Sequence, residues 1–338
     1  MSAGHASQQS ENRGAAIAIT VLAVAFVALR FVARYIRGTS YGTDDYILVI
    51  ALLFAFAVLG INLAMVQHGL GLHKDDLPPQ NLETLSKLLI SMECVYCTTV
   101  GIIKLSILAM YRRIFIDKVT RAATLVLGAV TISWVIAIIF VSIFQCTPIA
   151  KTWNPALPGH CINLKGSFIG NAVPNIMTDI AILSLPARQV WRLHASLTHR
   201  LAVIGIFLLG SFVVFASIYR FVTLFRFQPS DMSWTLSETN AWCVIEVGSG
   251  IISACLPTLR PLLKLVSDRF NTSHASRSRS QGRTGNSAFE SRPPRSGRRY
   301  WPEESTTHLA CKSGDELPLS SILATRAFSV HSTHSPNC

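Results

Sequence analysis

Seven separate runs of about 20 apolar residues fill residues 14 to 264, and each is long enough to cross a bilayer. A globular protein in water needs charged surface to cover its core, yet only 14% of this chain is charged and 50% is hydrophobic. A backbone in lipid must satisfy its own hydrogen bonds, and continuous apolar runs of this length do so as helices. The sequence therefore predicts an all-α membrane protein, a seven-transmembrane helical bundle.

Polar breaks between the runs place the spans near 14–36, 46–66, 88–110, 122–144, 166–188, 201–225 and 240–264. The first run has the length of a signal peptide. However, Arg13 is the only lysine or arginine before it, and several arginines follow it. A cleaved signal has the opposite charge order, so we interpret this run as an uncleaved first helix. The predicted organisation is an N-terminal segment (1–13), a seven-helix domain (14–267) and a C-terminal tail (268–338).

The positions of lysine and arginine predict the orientation, because positively charged short loops stay in the cytoplasm. One set of connections carries most of the positive charge: Arg34, Arg37, Arg112, Arg113, Lys118, Arg121, Arg188, Arg192 and Arg200. The N-terminus is therefore predicted outside and the C-terminus in the cytoplasm. The glycosylation sequence Asn271-Thr-Ser273 would then be cytoplasmic and unused, which makes glycosylation a test of this topology.

The tail contributes much of the net charge of +12 and is rich in Ser, Gly and Pro, so it is predicted to be disordered. A dense basic stretch within it contains Arg277, Arg279, Arg283, Arg292, Arg295, Arg298 and Arg299. A polybasic segment after a last helix is typical of binding to anionic inner-leaflet lipid, at about 1 kcal/mol per basic residue. Lipid, and not nucleic acid, is the predicted partner of the tail. A solvated tail without a specific function is one alternative, and a short amphipathic helix over Pro261–Phe270 on the membrane face is another.

Cysteines near the predicted outer face are candidates for a disulfide, because the outside is oxidising. Cys146 and Cys161 bracket the second outer loop. Cys94 and Cys97, near the outer end of the third helix, are competing partners. Connectivity does not follow from the sequence, and we favour Cys146 with Cys161.

The connection between the second and third spans contains His68 and His73, followed by Asp75 and Asp76. These are zinc-ligand types, but histidines five residues apart do not share a helical face, and the glycines between them indicate a turn. No metal site is predicted.

Charged side chains inside the spans are expensive in lipid and normally face the bundle interior. Counting residues from each membrane face predicts an outer polar layer of Glu93, Arg220 and Glu246. An inner layer would combine Arg30, Arg34, Asp44, Asp45 and Lys104, with Asp179 nearer the middle. Helical spacing puts Glu93, Cys97, Val100 and Lys104 on one stripe and Asn171, Asn175 and Asp179 on another. Both stripes are predicted to face other helices.

Three interpretations of these charges stay open. In the structural one, Arg220 pairs with Glu246 or Glu93 and Lys104 pairs with an aspartate, and the pairs fix helix packing. In the functional one, the outer layer forms the floor of a ligand pocket open to the outside. A proton path is a third possibility.

Several motifs in order resemble one family over about residues 14–267. They are Arg30-Phe-Val-Ala-Arg34-Tyr35 with Asp44-Asp45, Gly69-Leu-Gly71-Leu-His73, Lys104-Leu-Ser106-Ile-Leu, Tyr111-Arg-Arg-Ile-Phe115, Gln145-Cys146-Thr-Pro148 with Trp153 and Cys161, Asp179-Ile-Ala-Ile-Leu-Ser-Leu-Pro186, and Glu246 with Ala254-Cys-Leu-Pro257-Thr-Leu-Arg260-Pro261. The set resembles the fungal rhodopsin-domain integral membrane proteins. That resemblance implies a seven-helix plasma-membrane protein of receptor type.

The resemblance does not imply a retinal pigment or a standard G-protein receptor. Retinal needs a Schiff-base lysine in the last helix, and residues 240–263 contain none, so no cofactor is predicted. Tyr111-Arg112-Arg113 is only loosely similar to the acidic-Arg-aromatic end of animal receptors. Leu256-Pro257-Thr258-Leu259 stands where Asn-Pro-x-x-Tyr would be expected.

The leading hypothesis is an orphan receptor or sensor of an extracellular or membrane-borne small molecule, signalling to a cytoplasmic partner. Its ligand would contact Glu93, Arg220 and Glu246, with Asn175 and Asp179 as further contacts. The alternative is a membrane-embedded cyclase or isomerase acting on a hydrophobic metabolite, with Glu246 or Asp179 as the acid. A transporter or channel ranks third, because no inverted repeat is evident.

Overall fold

The computed structural model describes residues 8–73, 77–154, 156–190, 197–225 and 232–278. Within these ranges the helices are α1 (Gln9–Ile36), α2 (Thr43–Gln67), α3 (Pro79–Ile114), α4 (Lys118–Ile143), α5 (Leu164–Val190), α6 (Leu197–Phe225) and α7 (Met232–Ser278). All seven contain a stretch that is long and apolar enough to cross a membrane. The predicted seven-helix bundle is confirmed.

Consecutive helices pack against each other, and α7 closes the ring onto α1. α3 is the central helix, because it contacts α2, α4, α5 and α7. Helices joined by short connections alternate in direction. The start of α1, the turn at residues 68–73, the α4–α5 connection and the start of α7 therefore share one end of the bundle. We call this the hairpin end, and we call the opposite end the arginine end.

The helices begin earlier than the apolar runs because polar residues outside the runs start them. Asp45 Oδ2 accepts a hydrogen bond from the backbone N–H of Gly42 at 2.9 Å at the start of α2. The Asp117 carboxylate accepts from the backbone N–H of Thr120 at 3.3 Å at the start of α4. Pro79 occupies the first turn of α3, where its missing N–H is no loss. The helices therefore begin before the predicted membrane spans, which start near 46, 88 and 122.

The last helix also runs further than predicted. α7 ends at Ser278, so the predicted boundary at 267 lies inside it. No glycine or proline occurs between Pro261 and Gly282, so nothing in the sequence breaks the helix at 267. The rest of the tail lies outside the described residues, and its disorder and lipid binding stay predictions.

Large apolar side chains cover the outward-facing surface of the bundle. Val21, Leu53, Val126 and Leu208 are each more than 60% exposed, at 62%, 62%, 62% and 65%. Such a surface is unfavourable in water and suits hydrocarbon. The chain is an integral membrane protein.

A disulfide-bridged hairpin connects α4 and α5. Strand β1 (Cys146–Thr147) pairs antiparallel with β2 (His160–Cys161), and a short 3-10 helix (Ile149–Thr152) lies between them. Cys146 and Cys161 are bonded to each other, which confirms the favoured pairing. The competing pair, Cys94 and Cys97, has free thiols.

Removing this bridge is expected to destabilise the hairpin end. Replacing both Cys146 and Cys161 by Ser frees a loop whose ends are 15 residues apart, and loop entropy for that length is worth about 3 kcal/mol. We expect a lower midpoint of thermal unfolding in detergent micelles. The matched control replaces the free Cys94 by Ser, and an equal loss in the control would contradict the prediction.

Candidate functional site

The arginine end is held together by the arginine cluster, which comprises Arg30, Arg34, Asp44, Asp45 and Arg113. Arg30 contacts Asp44 at 2.5 Å and Asp45 at 2.9 Å, and Arg34 contacts them at 2.6 and 2.9 Å. Arg113 of α3 reaches Asp44 at 3.3 Å. The two aspartates and Arg30 are each 1% exposed. The cluster therefore fastens the end of α1 to the start of α2 and the end of α3.

Arg30 also anchors α7, because its Nη1 donates to the backbone carbonyl of Ala254 at 2.6 Å. The hydroxyl of Ser106 donates to the backbone carbonyl of Asp44 at 2.9 Å. Four helices thus meet at one buried set of charges. Such a set contributes geometry more than net stability.

Near the hairpin end, three buried asparagines form a second link, which we call the amide chain. Asn240 of α7 donates to Asn62 of α2, Asn62 donates to Asn12 of α1 at 3.1 Å, and Asn12 donates to the carbonyl of Ser237 at 3.1 Å. These residues are 5%, 0% and 4% exposed. Hydrogen bonds between side-chain amides stabilise helix packing where no water competes for them.

The carboxylate of Glu246 is the hub of the bundle centre. Its Oε2 accepts from the Tyr96 hydroxyl at 2.7 Å and from Arg220 Nε at 3.1 Å. Its Oε1 accepts from the Ser217 hydroxyl at 2.6 Å and from Asn175 Nδ2 at 2.9 Å. The donors come from α3, α5 and α6, so the side chain on α7 ties together four helices.

Lys104 of α3 holds the next layer towards the arginine end. Its Nζ donates to the carbonyl and side-chain oxygens of Asn175 at 2.8 and 2.7 Å and to Thr178 Oγ1 at 2.8 Å. Asp179 Oδ1 lies 3.0 Å from the same nitrogen. The sequence groups Lys104 with the Arg30–Asp45 layer and also pairs it with an unspecified aspartate, and the structure shows that this aspartate is Asp179 of α5. Depth counted along one helix does not include the rotation that turns the lysine towards α5.

Ser217 joins the two layers. Its hydroxyl lies 2.6 Å from Glu246 Oε1 and 3.1 Å from Asp179 Oδ2. A hydroxyl carries one proton, so it donates to one of these carboxylates at a time. A shift of α6 relative to α7 would therefore change which acidic residue Ser217 supports.

Both polar stripes face the bundle interior, as predicted. Cys97, Val100 and Lys104 are 0%, 5% and 3% exposed on α3. Asn171, Asn175 and Asp179 are 4%, 0% and 9% exposed on α5. Glu93, at the hairpin end of the first stripe, is half-buried.

A cavity of about 250 Å³ opens at the hairpin end, and we call it the hairpin cavity. Helices α3 to α7 and the hairpin contribute to its walls, and the bridge Cys146–Cys161 lies at its rim. Its charged walls are Glu93, Lys151 and Arg220. The apolar walls are Leu89, Ile90, Met92, Phe168, Leu224 and Leu236. Small-molecule pockets usually have about 300–1,000 Å³, so this volume suits a small ligand.

Two residues that line this cavity each have a buried polar atom with unmet hydrogen-bonding capacity. Within the ranges that the structure describes, Arg220 Nη2 and Thr152 Oγ1 have no hydrogen-bond partner. Arg220 is 4% exposed, its guanidinium lies 4.9 Å from the Tyr96 ring centroid, and Nε is committed to Glu246. An unpartnered buried donor costs about 1–3 kcal/mol, so it requires an explanation.

The predicted ligand residues divide between two places. Glu93 and Arg220 line the hairpin cavity. Glu246 and Asp179 instead line a smaller cavity of about 50 Å³ towards the arginine end, together with Lys104. Asn175 bonds to Glu246 and Lys104 between them. The Arg220–Glu246 pair therefore separates the two cavities.

Sequence reasoning missed the neutral members of the site: Asn12, Asn62, Tyr96, Thr152, Ser217 and Asn240. The sequence signal for buried polar groups is charge, together with the regular spacing of the α5 asparagines, and these six side chains are uncharged. Lone amides in apolar runs, such as Asn62, are a usable signal, because each needs a partner in lipid. Tyr96 and Ser217 carry no such signal.

The turn that contains the two histidines packs against the start of α7. The His73 ring stacks on Trp234 with centroids 4.3 Å apart, and Gly71 N–H donates to the Ser233 carbonyl at 3.0 Å. Gly69 and Gly71 have positive φ values of 102° and 90°, which glycine adopts without strain. Asp75 and Asp76 lie outside the described residues.

Fold and site together define a seven-helix integral membrane protein with a buried ionic core and a small-molecule-sized cavity at one end. The family model of the fungal rhodopsin domain matches residues 29–265. The chain belongs to the fungal rhodopsin-domain family.

Relatives of this chain include a biosynthesis gene cluster protein, a SAT4 family membrane protein and a receptor. The polyenoic acids biosynthesis gene cluster protein Ba17b of Metarhizium anisopliae is 33% identical over 73% of this chain and 72% of its own length. A SAT4 family membrane protein of Emericella nidulans is 32% identical over 65% of this chain and 57% of its own. The receptor GIN3 of Arthrobotrys oligospora is 28% identical over 60% of this chain, and the match spans only 51% of GIN3.

Proposed function

We propose that the chain is a plasma-membrane receptor that binds a small molecule in the hairpin cavity and signals to a cytoplasmic partner. The observation that carries the proposal is Arg220. Its side chain lines the cavity, and Nη2 has no acceptor among the described residues, while Nε is fixed on Glu246. A ligand acceptor would complete the guanidinium.

The position of Arg220 supports signalling as well as binding. A ligand that accepts a hydrogen bond from the guanidinium would compete with the Arg220–Glu246 contact of 3.1 Å. Glu246 holds α3, α5 and α6, and Ser217 connects it to Asp179 and Lys104. A buried network with two arrangements is the kind of element that a ligand biases.

Two features support a hairpin end on the outside. A disulfide forms and persists in an oxidising compartment, and the bridge Cys146–Cys161 lies at that end. The connections at the arginine end carry Arg37, Arg112, Lys118 and Arg121. The cavity would then open to the exterior, and the basic tail would meet anionic inner-leaflet lipid.

An enzyme acting on a hydrophobic metabolite is the second candidate. Several relatives are described as biosynthesis cluster proteins, among them one for wortmanamides and one for phomoidride. The geometry of Glu246 disfavours it as the acid, because its two oxygens already accept four hydrogen bonds. The relative described as a receptor favours the first candidate.

A deletion strain separates the candidates through its transcripts and metabolites. We expect a changed transcript programme without build-up of a precursor, restored by the native chain. The Leu236→Trp variant, which fills the hairpin cavity with a larger side chain, should fail to restore it. The matched control is Leu208→Trp, since Leu208 is 65% exposed on the lipid-facing side of α6.

Accumulation of one precursor in the deletion strain, cleared by the native chain, would overturn the receptor proposal in favour of an enzyme. Restoration of the transcripts by Leu236→Trp at normal protein level would show that the hairpin cavity is not the receptor site. Failure of Leu208→Trp would attribute the effect to tryptophan in the bundle and not to the cavity.

A further inference from the structure

We infer that the hairpin cavity accepts a neutral, largely apolar ligand that has a carbonyl oxygen for Arg220 and a hydrogen-bond donor for Glu93. This inference rests on the proposed function and adds the chemical class of the ligand. It follows from the charge balance of the cavity, from its hydrogen-bonding groups and from its apolar walls.

The charges around the cavity already cancel. Arg220 is compensated by Glu246 at 3.1 Å, and Glu93 and Lys151 are opposite in sign. A charged ligand would add an uncompensated charge next to the buried Arg220 and Glu246, which is unfavourable. An anion would also meet Glu93. A neutral ligand leaves the balance unchanged.

The hydrogen-bonding groups select a ligand with one acceptor and one donor. A guanidinium only donates, so the group that meets Arg220 Nη2 must be an acceptor such as a carbonyl. An ionised carboxylate only accepts. Glu93 Oε1 already accepts from Asn171 Nδ2 at 2.9 Å, and a carboxylate has further lone pairs for a ligand N–H or O–H.

The remaining walls select an apolar body. Six apolar side chains from α3, α5, α6 and α7 line the cavity: Leu89, Ile90, Met92, Phe168, Leu224 and Leu236. Burying apolar surface against them contributes about 25 cal/mol per Å². The polar groups of the cavity then orient the ligand and set its specificity, as in other small-molecule pockets.

Three eight-carbon probes test the class directly: octanamide, octanoate and octane. Octanamide is neutral and has both a carbonyl and N–H donors, whereas octanoate is an anion and octane has neither group. We expect octanamide to raise the thermal unfolding midpoint of the native protein in nanodiscs. Its apparent Kd should be at least roughly tenfold lower than those of octanoate and octane.

The Glu93→Gln variant should lose most of the selectivity against the anion, because it removes the negative charge and keeps an acceptor for Asn171. We expect octanoate to bind this variant roughly tenfold or more tightly than it binds the native protein. The matched control is Glu83→Gln on the same helix, since Glu83 is 51% exposed and pairs with Lys87 outside the cavity. Its selectivity should be that of the native protein.

The outcomes separate the ligand class from the site. Octanoate binding to the native protein more tightly than octanamide would overturn the neutral class and leave the cavity as a ligand site. Equal effects of Glu93→Gln and Glu83→Gln would also overturn the class. The absence of binding by all three probes, or binding that persists in Leu236→Trp, would overturn the hairpin cavity as the site and with it the proposed function there.

Discussion

Replacing Asp44 by Asn is expected to destabilise the folded bundle by about 3–5 kcal/mol, the usual loss when one partner of a buried ion pair is removed. Asp44 contacts Arg30 at 2.5 Å, Arg34 at 2.6 Å and Arg113 at 3.3 Å, and it is 1% exposed. The substitution leaves three guanidinium groups with Asp45 as the carboxylate of the cluster. Thermal unfolding in detergent, followed by circular dichroism, measures the loss.

A double variant shows whether the loss comes from charge balance. Adding Arg34→Gln to Asp44→Asn removes one positive and one negative charge, so the pair should lose less stability than the sum of the single variants. Glu83→Gln is the control for removing an exposed carboxylate, and it should change stability by less than about 1 kcal/mol. Strict additivity of the Arg34 and Asp44 losses would contradict the role of the arginine cluster.

Replacing Glu246 by Leu is expected to destabilise the folded bundle by a similar amount, about 3–5 kcal/mol, because it leaves Arg220 as a buried and uncompensated charge. It also removes the acceptor of Tyr96, Asn175 and Ser217. The variant should unfold at a lower temperature, and it should no longer bind octanamide because Arg220 loses the contact that fixes its guanidinium beside the hairpin cavity. Unfolding and probe binding are measured on the same nanodisc preparation.

The double variant Arg220→Met with Glu246→Leu separates folding from binding. It removes the buried charge pair as a unit, and apolar replacement of a whole buried pair is often neutral or stabilising. We expect its unfolding midpoint to recover towards the native value while octanamide binding stays lost. Recovery of both would show that Arg220 is not part of the ligand site.

The fold was predictable because membrane helices are specified by the length of their apolar runs. The stripes of α3 and α5 were predictable for a related reason, since helical spacing fixes which residues share a face. The charged residues at the end of α1 and the start of α2 are close to each other in sequence. Arg30 and Asp44 could therefore be grouped without knowledge of the tertiary packing.

Partner choice at the bundle centre was not predictable from the sequence. Lys104 had aspartates on α2 and α5 within reach in depth, and helix rotation places it 3.0 Å from Asp179. Arg220 had Glu93 and Glu246 as candidate partners, and it bonds to Glu246 at 3.1 Å. Depth along a helix is a single coordinate, whereas pairing also depends on rotation and tilt about the bundle axis.

The hairpin cavity could not be predicted from the sequence either, because a cavity forms where the packing between helices is incomplete. Glu93 and Arg220 were identified as outer-layer residues from their charge. Thr152 lies in the hairpin, and only its position at the cavity and its unpaired hydroxyl among the described residues bring it to notice. The pairing of Cys146 with Cys161 was predicted from the outer position expected for both cysteines, and the structure confirms the bond.

The measurement that tests the central claim most directly is ¹⁹F NMR at the arginine end with the hairpin cavity occupied. A trifluoromethyl label on an Ile116→Cys variant reports there, since Ile116 is 81% exposed just after α3. Octanamide should shift this signal in the otherwise native protein and leave it unchanged in Leu236→Trp. The protein without the introduced cysteine, labelled in the same way, identifies the background signals. A signal that stays fixed while octanamide is bound, or that shifts equally in Leu236→Trp, would contradict a receptor that transmits cavity occupancy across the membrane.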